Sequence, residues 1–138
     1  MLQYIGLFVE NAGKEDSELI AHLIHQGVAE RIAERLVAFL PLAFGRVVIE
    51  NTARVTFSDK FEVYATGEEK TLSQEPVYSE AFRLARDIYR SGQIPREQFL
   101  AVANRSAELG AVTKALSDGA DINGASLNAV VLWGFRTL

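Results

Sequence analysis

Hydrophobic positions recur at helical spacing through most of the chain, and the places where the period changes divide it into elements. Leu19, Ile20, Leu23 and Ile24 repeat at three and four residues. They predict a short amphipathic helix with Asp16 or Ser17 as its N-cap and Gly27 at its end. Ahead of it, residues 2–9 are apolar with no clean period, so a short helix and an edge strand both fit, with helix preferred. A longer helix begins near Val28, where Ile32, Leu36, Phe39, Leu40, Ala43 and Val47 share one face and Glu30, Arg31, Glu34 and Arg35 lie away from it.

That longer helix changes character along its length. The fifteen residues between Glu34 and Glu50 carry only two charges, Arg35 and Arg46. Past Val37 it is apolar all round, because Leu42, Phe44, Val48 and Ile49 point away from the stripe. Such a segment must be covered on every side, either by the rest of the chain or by another chain. Pro41 cannot donate to the carbonyl of Val37, which predicts a kink or a break near Phe39 to Pro41.

The period then shifts from helical to alternating. Ala53, Val55 and Phe57 alternate with Arg54 and Thr56, and after a turn at "SDK" Phe61, Val63 and Ala65 alternate with Glu62 and Tyr64. This pattern predicts a β-hairpin at roughly residues 53–65, which must pack on the helices or gain a third strand. "TGEEKTLSQEP" reads as a polar, mobile connection. After Pro76, Val77, Ala81, Leu84, Ala85 and Ile88 define a helix closed by Ser91 and Gly92. Pro95 opens another, with Phe99, Val102, Ala103, Ser106 and Ala107 inward. Gly110 separates off a further helical piece ending at "SDGADING", and Leu127, Val130, Val131, Gly134 and Phe135 predict a last helix. The expected fold is therefore α+β, predominantly helical, with about five to six helices and one hairpin.

Composition narrows the function more than the fold. A chain of 138 residues with 49% hydrophobic and 23% charged residues is expected to form a single globular domain over residues 1–138, whose core needs no metal or disulfide. The absence of cysteine removes disulfides, thiolate metal sites and cysteine nucleophiles. Eighteen acidic against fourteen basic residues argue against a nucleic-acid clamp, whose affinity rests on phosphate neutralisation. The first ten residues lack a basic segment and a cleavage site, and Arg46 interrupts the longest apolar run, so neither a secretion signal nor a membrane span is expected. The expectation is a cytoplasmic protein.

Several clusters could carry chemistry. Glu18, His22 and His25 fall within about sixty degrees of arc on one helix and could surround a metal ion. The arc lies opposite the apolar stripe, however, and a solvated face is the simpler reading. Arg83, Arg86 and Arg90 form a basic stripe able to receive an anion or an acidic partner, while Glu80 and Asp87 lie close enough in sequence to pair with it. Arg46 sits among apolar neighbours and needs a partner such as Glu50. Together with Arg105 and Glu108 this pair could floor a polar cleft. Ser106 has no histidine near it in sequence, and no phosphate-binding glycine loop, nucleophile elbow or cofactor motif occurs.

"LSDGADING" resembles the end of an ankyrin repeat at Leu116, Gly119, Ala120, Asp121 and Asn123. The "TPLH" opening and any 33-residue self-similarity are absent, and a helix C-cap with Gly119 in the left-handed region explains the same letters. In size and texture the chain resembles small single-domain bacterial proteins, a likeness that implies no activity. The expected function is a non-enzymatic protein-interaction module that binds a protein partner or another copy of itself, with Leu42 and Phe44 as interface candidates. No cofactor, nucleic acid or membrane is expected. A small-molecule binder or enzyme using Arg46 and Glu50, and a metal binder using Glu18, His22 and His25, are the alternatives.

Overall fold

A single long helix supplies the surface on which the other helices assemble. The computed structural model describes residues 1–53, 55–56, 60–63, 68–71, 75–106, 109–119 and 136–137. Within them, α1 is Leu2–Glu10, α2 Asp16–His25, α3 Glu30–Ala53, α4 Pro76–Ser91, α5 Arg96–Ala103 and α6 Gly110–Ser117. Helices α2, α4, α5 and α6 all pack on α3, and α1 packs on α5. No described helix is long and apolar enough to cross a membrane.

The second half of α3 is buried on all sides by the chain's own helices. Residues 39–45 and 47–49 are all buried, Leu42 and Phe44 among them. Phe44 stacks on Phe99 of α5 with ring centroids 4.3 Å apart, and Tyr89 of α4 meets Phe99 edge-on at 5.2 Å. These three rings tie α3, α4 and α5 together through geometries that favour the aromatic quadrupole. The break anticipated at Pro41 does not occur, since α3 runs continuously through it. An interior proline costs about 3 kcal/mol, and the burial around it exceeds that many times over.

The neighbouring helices follow from local chemistry. Pro76 begins α4 and Gly92 ends it with φ of 70°, the left-handed conformation that glycine adopts without strain. Tyr78 joins the expected stripe in the core, and Leu84 is only half-buried. Helix α5 stops at Ala103, so Ser106 lies beyond it rather than on its inner face. There the Ser106 hydroxyl accepts from the N–H of Leu109, the residue before α6, at 2.9 Å. A Cβ on Gly45 would sit 3.4 Å from Leu109, so a small residue on α3 sets how closely the start of α6 approaches. Gly119 takes φ of 95° just past the α6 cap at Asp118, as a helix C-cap requires. The cap on α2 is Glu15, not Asp16 or Ser17, and it makes no side-chain capping bond.

The fold is helical, and the β-hairpin expected over residues 53–65 is not seen. Helix α3 continues through Ala53, the first residue assigned to that hairpin. Its two strands do not pair with each other. Val55–Thr56 lies antiparallel to Arg136–Thr137, and Lys60–Val63 to Glu68–Thr71, the latter within the connection expected to be mobile. Alternation over five residues shows extended backbone but does not name its partner. The helix expected around Leu127 to Phe135 lies outside the described residues. Because Leu42 and Phe44 are core residues, Phe44→Ala should lower unfolding free energy by about 3–5 kcal/mol in urea titration. Leu42→Glu should abolish the cooperative thermal transition rather than change the assembled mass.

Candidate functional site

The candidate residues separate into distinct places rather than gathering into one cleft. Arg46, near the end of α3, donates from Nε to Glu50 at 2.8 Å and from Nη1 to the Tyr78 hydroxyl at 2.9 Å. Its guanidinium also lies 4.4 Å from the centre of the Phe82 ring, which Arg86 approaches at 4.5 Å. Burial opposes the charge on Arg46, but Tyr78 and Glu50 outweigh it and hold the guanidinium above the ordinary arginine value. The pair expected at Arg46 and Glu50 is present within α3, and the bond from Arg46 to Tyr78 ties α3 to α4. Arg83 and Arg90 are exposed and form no ion pair among the described residues, and neither does Arg86. The pairs to Glu80 and Asp87 that would explain this stripe are not made.

Arg105 serves a different region. It reaches back to donate to the carbonyls of Ala12, at 2.7 Å, and Lys14, and to the Asp16 carboxylate at 2.6 Å. Its guanidinium also lies 5.5 Å from the Phe8 ring centre. Its side chain is only 13% exposed, so one arginine after α5 fastens the turn between α1 and α2. Glu108, its expected neighbour, lies outside the described residues. On α2, Glu18 and His25 are exposed and His22 half-buried. Among the described residues no three His, Asp or Glu side chains come together as a metal site.

Arg35 meets a partner that its sequence neighbourhood does not reveal. Its Nη1 lies 2.6 Å from Oε2 of Glu75, the residue that precedes α4, and Glu75 is only 5% exposed. The other carboxylate oxygen of Glu75 is buried without a hydrogen bond. An ion this deep depends on its single counter-charge, since desolvation is offset only while the partner is present.

A groove runs along the outer face of α1. Gln3, Tyr4, Gly6, Leu7 and Glu10 form one wall, and Gln26, Gly27 and Val28 of the turn between α2 and α3 form the other, around a volume of about 410 Å³. The exposed large hydrophobic residues of the described chain are Leu2 of α1, at 58%, and Ile24 of α2, at 41%. Gly6 stands at the middle of α1, where glycine costs about 1 kcal/mol relative to alanine. Neither backbone nor packing requires it. Its φ is not positive, and a Cβ there would meet nothing within 4 Å. What Gly6 preserves is the opening of the groove. Sequence reasoning passed over this surface because residues 2–9 show no period. The signal available was a glycine inside an otherwise apolar helix.

Comparison with family models, with characterised proteins and with solved structures finds no match to the chain. The geometry must carry the functional argument alone. Two outcomes follow from the half-buried arginines Arg35 and Arg105. Arg35→Ala should destabilise by about 3–5 kcal/mol in denaturant titration, and adding Glu75→Gln should restore most of the loss. Arg105→Ala should cost about 2 kcal/mol and speed amide hydrogen exchange over residues 12–16 before the rest of the chain opens.

Proposed function

We propose that the protein is a cytoplasmic, non-enzymatic interaction module that binds another polypeptide through the α1 groove. The observation that carries this reading is the groove of about 410 Å³ between α1 and the turn after α2, on a chain whose exposed large apolar side chains among the described residues are Leu2 of α1 and Ile24 of α2. Grooves lined by apolar and polar groups together are where soluble proteins take up ligands and partner segments. The apolar second half of α3 no longer supports the reading, because α2, α4, α5 and α6 take up its surface. The surface passes instead to α1, whose inner residues Ile5 and Phe8 anchor it in the core while its outer face stays open.

The groove suits a polypeptide better than a small polar substrate. Tyr4 and Leu7 offer apolar contact, Gln3 and Gln26 can satisfy backbone groups, and Glu10 is its one ionisable carboxylate. An excess of acidic over basic residues supports a protein rather than a nucleic-acid partner. The test is affinity purification from the native cell with mass determination of whatever remains bound. A stoichiometric partner or a stable oligomer is expected. Leu2→Glu combined with Ile24→Glu should abolish that association while circular dichroism keeps its helical signal. Association unaffected by both changes would overturn the assignment of the groove.

A further inference from the structure

The ends and the midpoint of α1 indicate what fills the groove. We infer that it is α1 of a second copy of this chain, lying antiparallel across a two-fold axis that passes at Gly6. This rests on the reading of the α1 groove as an interaction surface and names its occupant.

Three features of α1 are unsatisfied within one chain and satisfied by that pairing. The first is charge at the C-terminal end. Glu10 occupies the last turn, where the helix dipole is negative, and no basic residue in that turn offsets it. The second is the N-terminal end, which has no acidic residue in its first turn and no side-chain cap. Tyr4 and Ile5 both donate to the Met1 carbonyl, while the N–H groups of Leu2 and Gln3 have no partner among the described residues. The third is Gly6, which lines the groove and where a Cβ would meet nothing within 4 Å among the described residues.

An antiparallel pair resolves all three together. In α1, which spans Leu2–Glu10, Gly6 has four residues on either side, or roughly 6 Å at the helical rise. Placing the axis at Gly6 therefore sets Glu10 of one copy level with Leu2 of the other. Each carboxylate then faces uncapped N–H groups and the positive end of a dipole, and it does so twice. The backbones cross at two glycines, the residue that allows closest approach. Leu2 becomes covered in both copies. Two-fold contacts are the commonest in soluble oligomers, and they require this kind of self-complementary surface. The arginine stripe of α4 in a second copy would supply charge for Glu10, but its large apolar residues face inward.

The natural chain has no cysteine, so one introduced thiol reports on one contact. The full-length protein would be prepared as wild type, Gly6→Phe, Glu10→Lys, Gly6→Cys and Gly13→Cys, with helix content checked for each. Like Gly6, Gly13 has open space around it, but it is not among the residues lining the groove. Sedimentation of the wild type should give twice the chain mass of 15.2 kDa. Gly6→Phe should give the single-chain mass with unchanged circular dichroism, and Glu10→Lys should weaken the dimer about tenfold. Under mild oxidation Gly6→Cys should form a disulfide-linked dimer, and Gly13→Cys should not.

A wild type that stays at the single-chain mass overturns the inference, as does a dimer indifferent to Gly6→Phe or equal cross-linking of the two cysteine variants. If the wild type is a single chain but binds a different polypeptide in a manner lost with Leu2→Glu and Ile24→Glu, the second copy is excluded and the groove assignment stands. If no association responds to any of these changes, both fall.

Discussion

Enclosure of α3 is the constraint on which the rest of the structure depends. Its second half presents apolar side chains around the whole helix, so no single packed face can satisfy it. Four other helices must therefore converge on it, and their own sequences show the fit required. Ala81 and Ala85 bring α4 in, Gly45 admits the start of α6, and Phe99 of α5 stacks on Phe44. Pro41 is tolerated for the same reason, since local backbone preference is a weak term beside so much buried surface. Arg46 and Thr113, beside this core, are hydrogen-bonded, as most buried polar groups are.

Enclosure also redirects the question of function. An apolar helix face read from sequence can equally be core or interface, because the hydrophobic effect does not distinguish a covering helix from a covering partner. Once α3 is assigned to the core, little apolar surface remains outside it. Among the described residues the exposed large apolar side chains are Leu2 of α1 and Ile24 of α2. The charged features behave differently. Arg46 and Arg105 spend their hydrogen bonds inside the chain, and they read as connectors between elements.

Legibility from sequence tracked locality. The bounds of α4 could be read from Pro76 and Gly92 because proline and glycine act through their own dihedral angles. The C-cap at Gly119 and the pair of Arg46 with Glu50 were legible for the same reason, each being settled within one helical turn. What could not be read depends on residues far apart in the chain. Arg35 has no sequence signal pointing to Glu75 across forty positions, and Arg105 gives no hint of the turn near Ala12. Strand alternation after Ala53 likewise left the partner of Val55 unspecified, and it proved to be Thr137. The groove was missed because a glycine within a helix is usually read as a weakness rather than as a space.

Arg105 has one further consequence. The turn it holds leads directly out of α1, so the groove wall is braced at its C-terminal end by a residue from the far side of the sequence. The wall that carries Tyr4, Leu7 and Glu10 is thus set in place when the chain folds, and not when something docks. Ordering a flexible segment is among the larger entropic costs of association, and here it falls on folding instead. The outer face of α1 is thus held by the fold itself, through a residue that is not among those lining the groove.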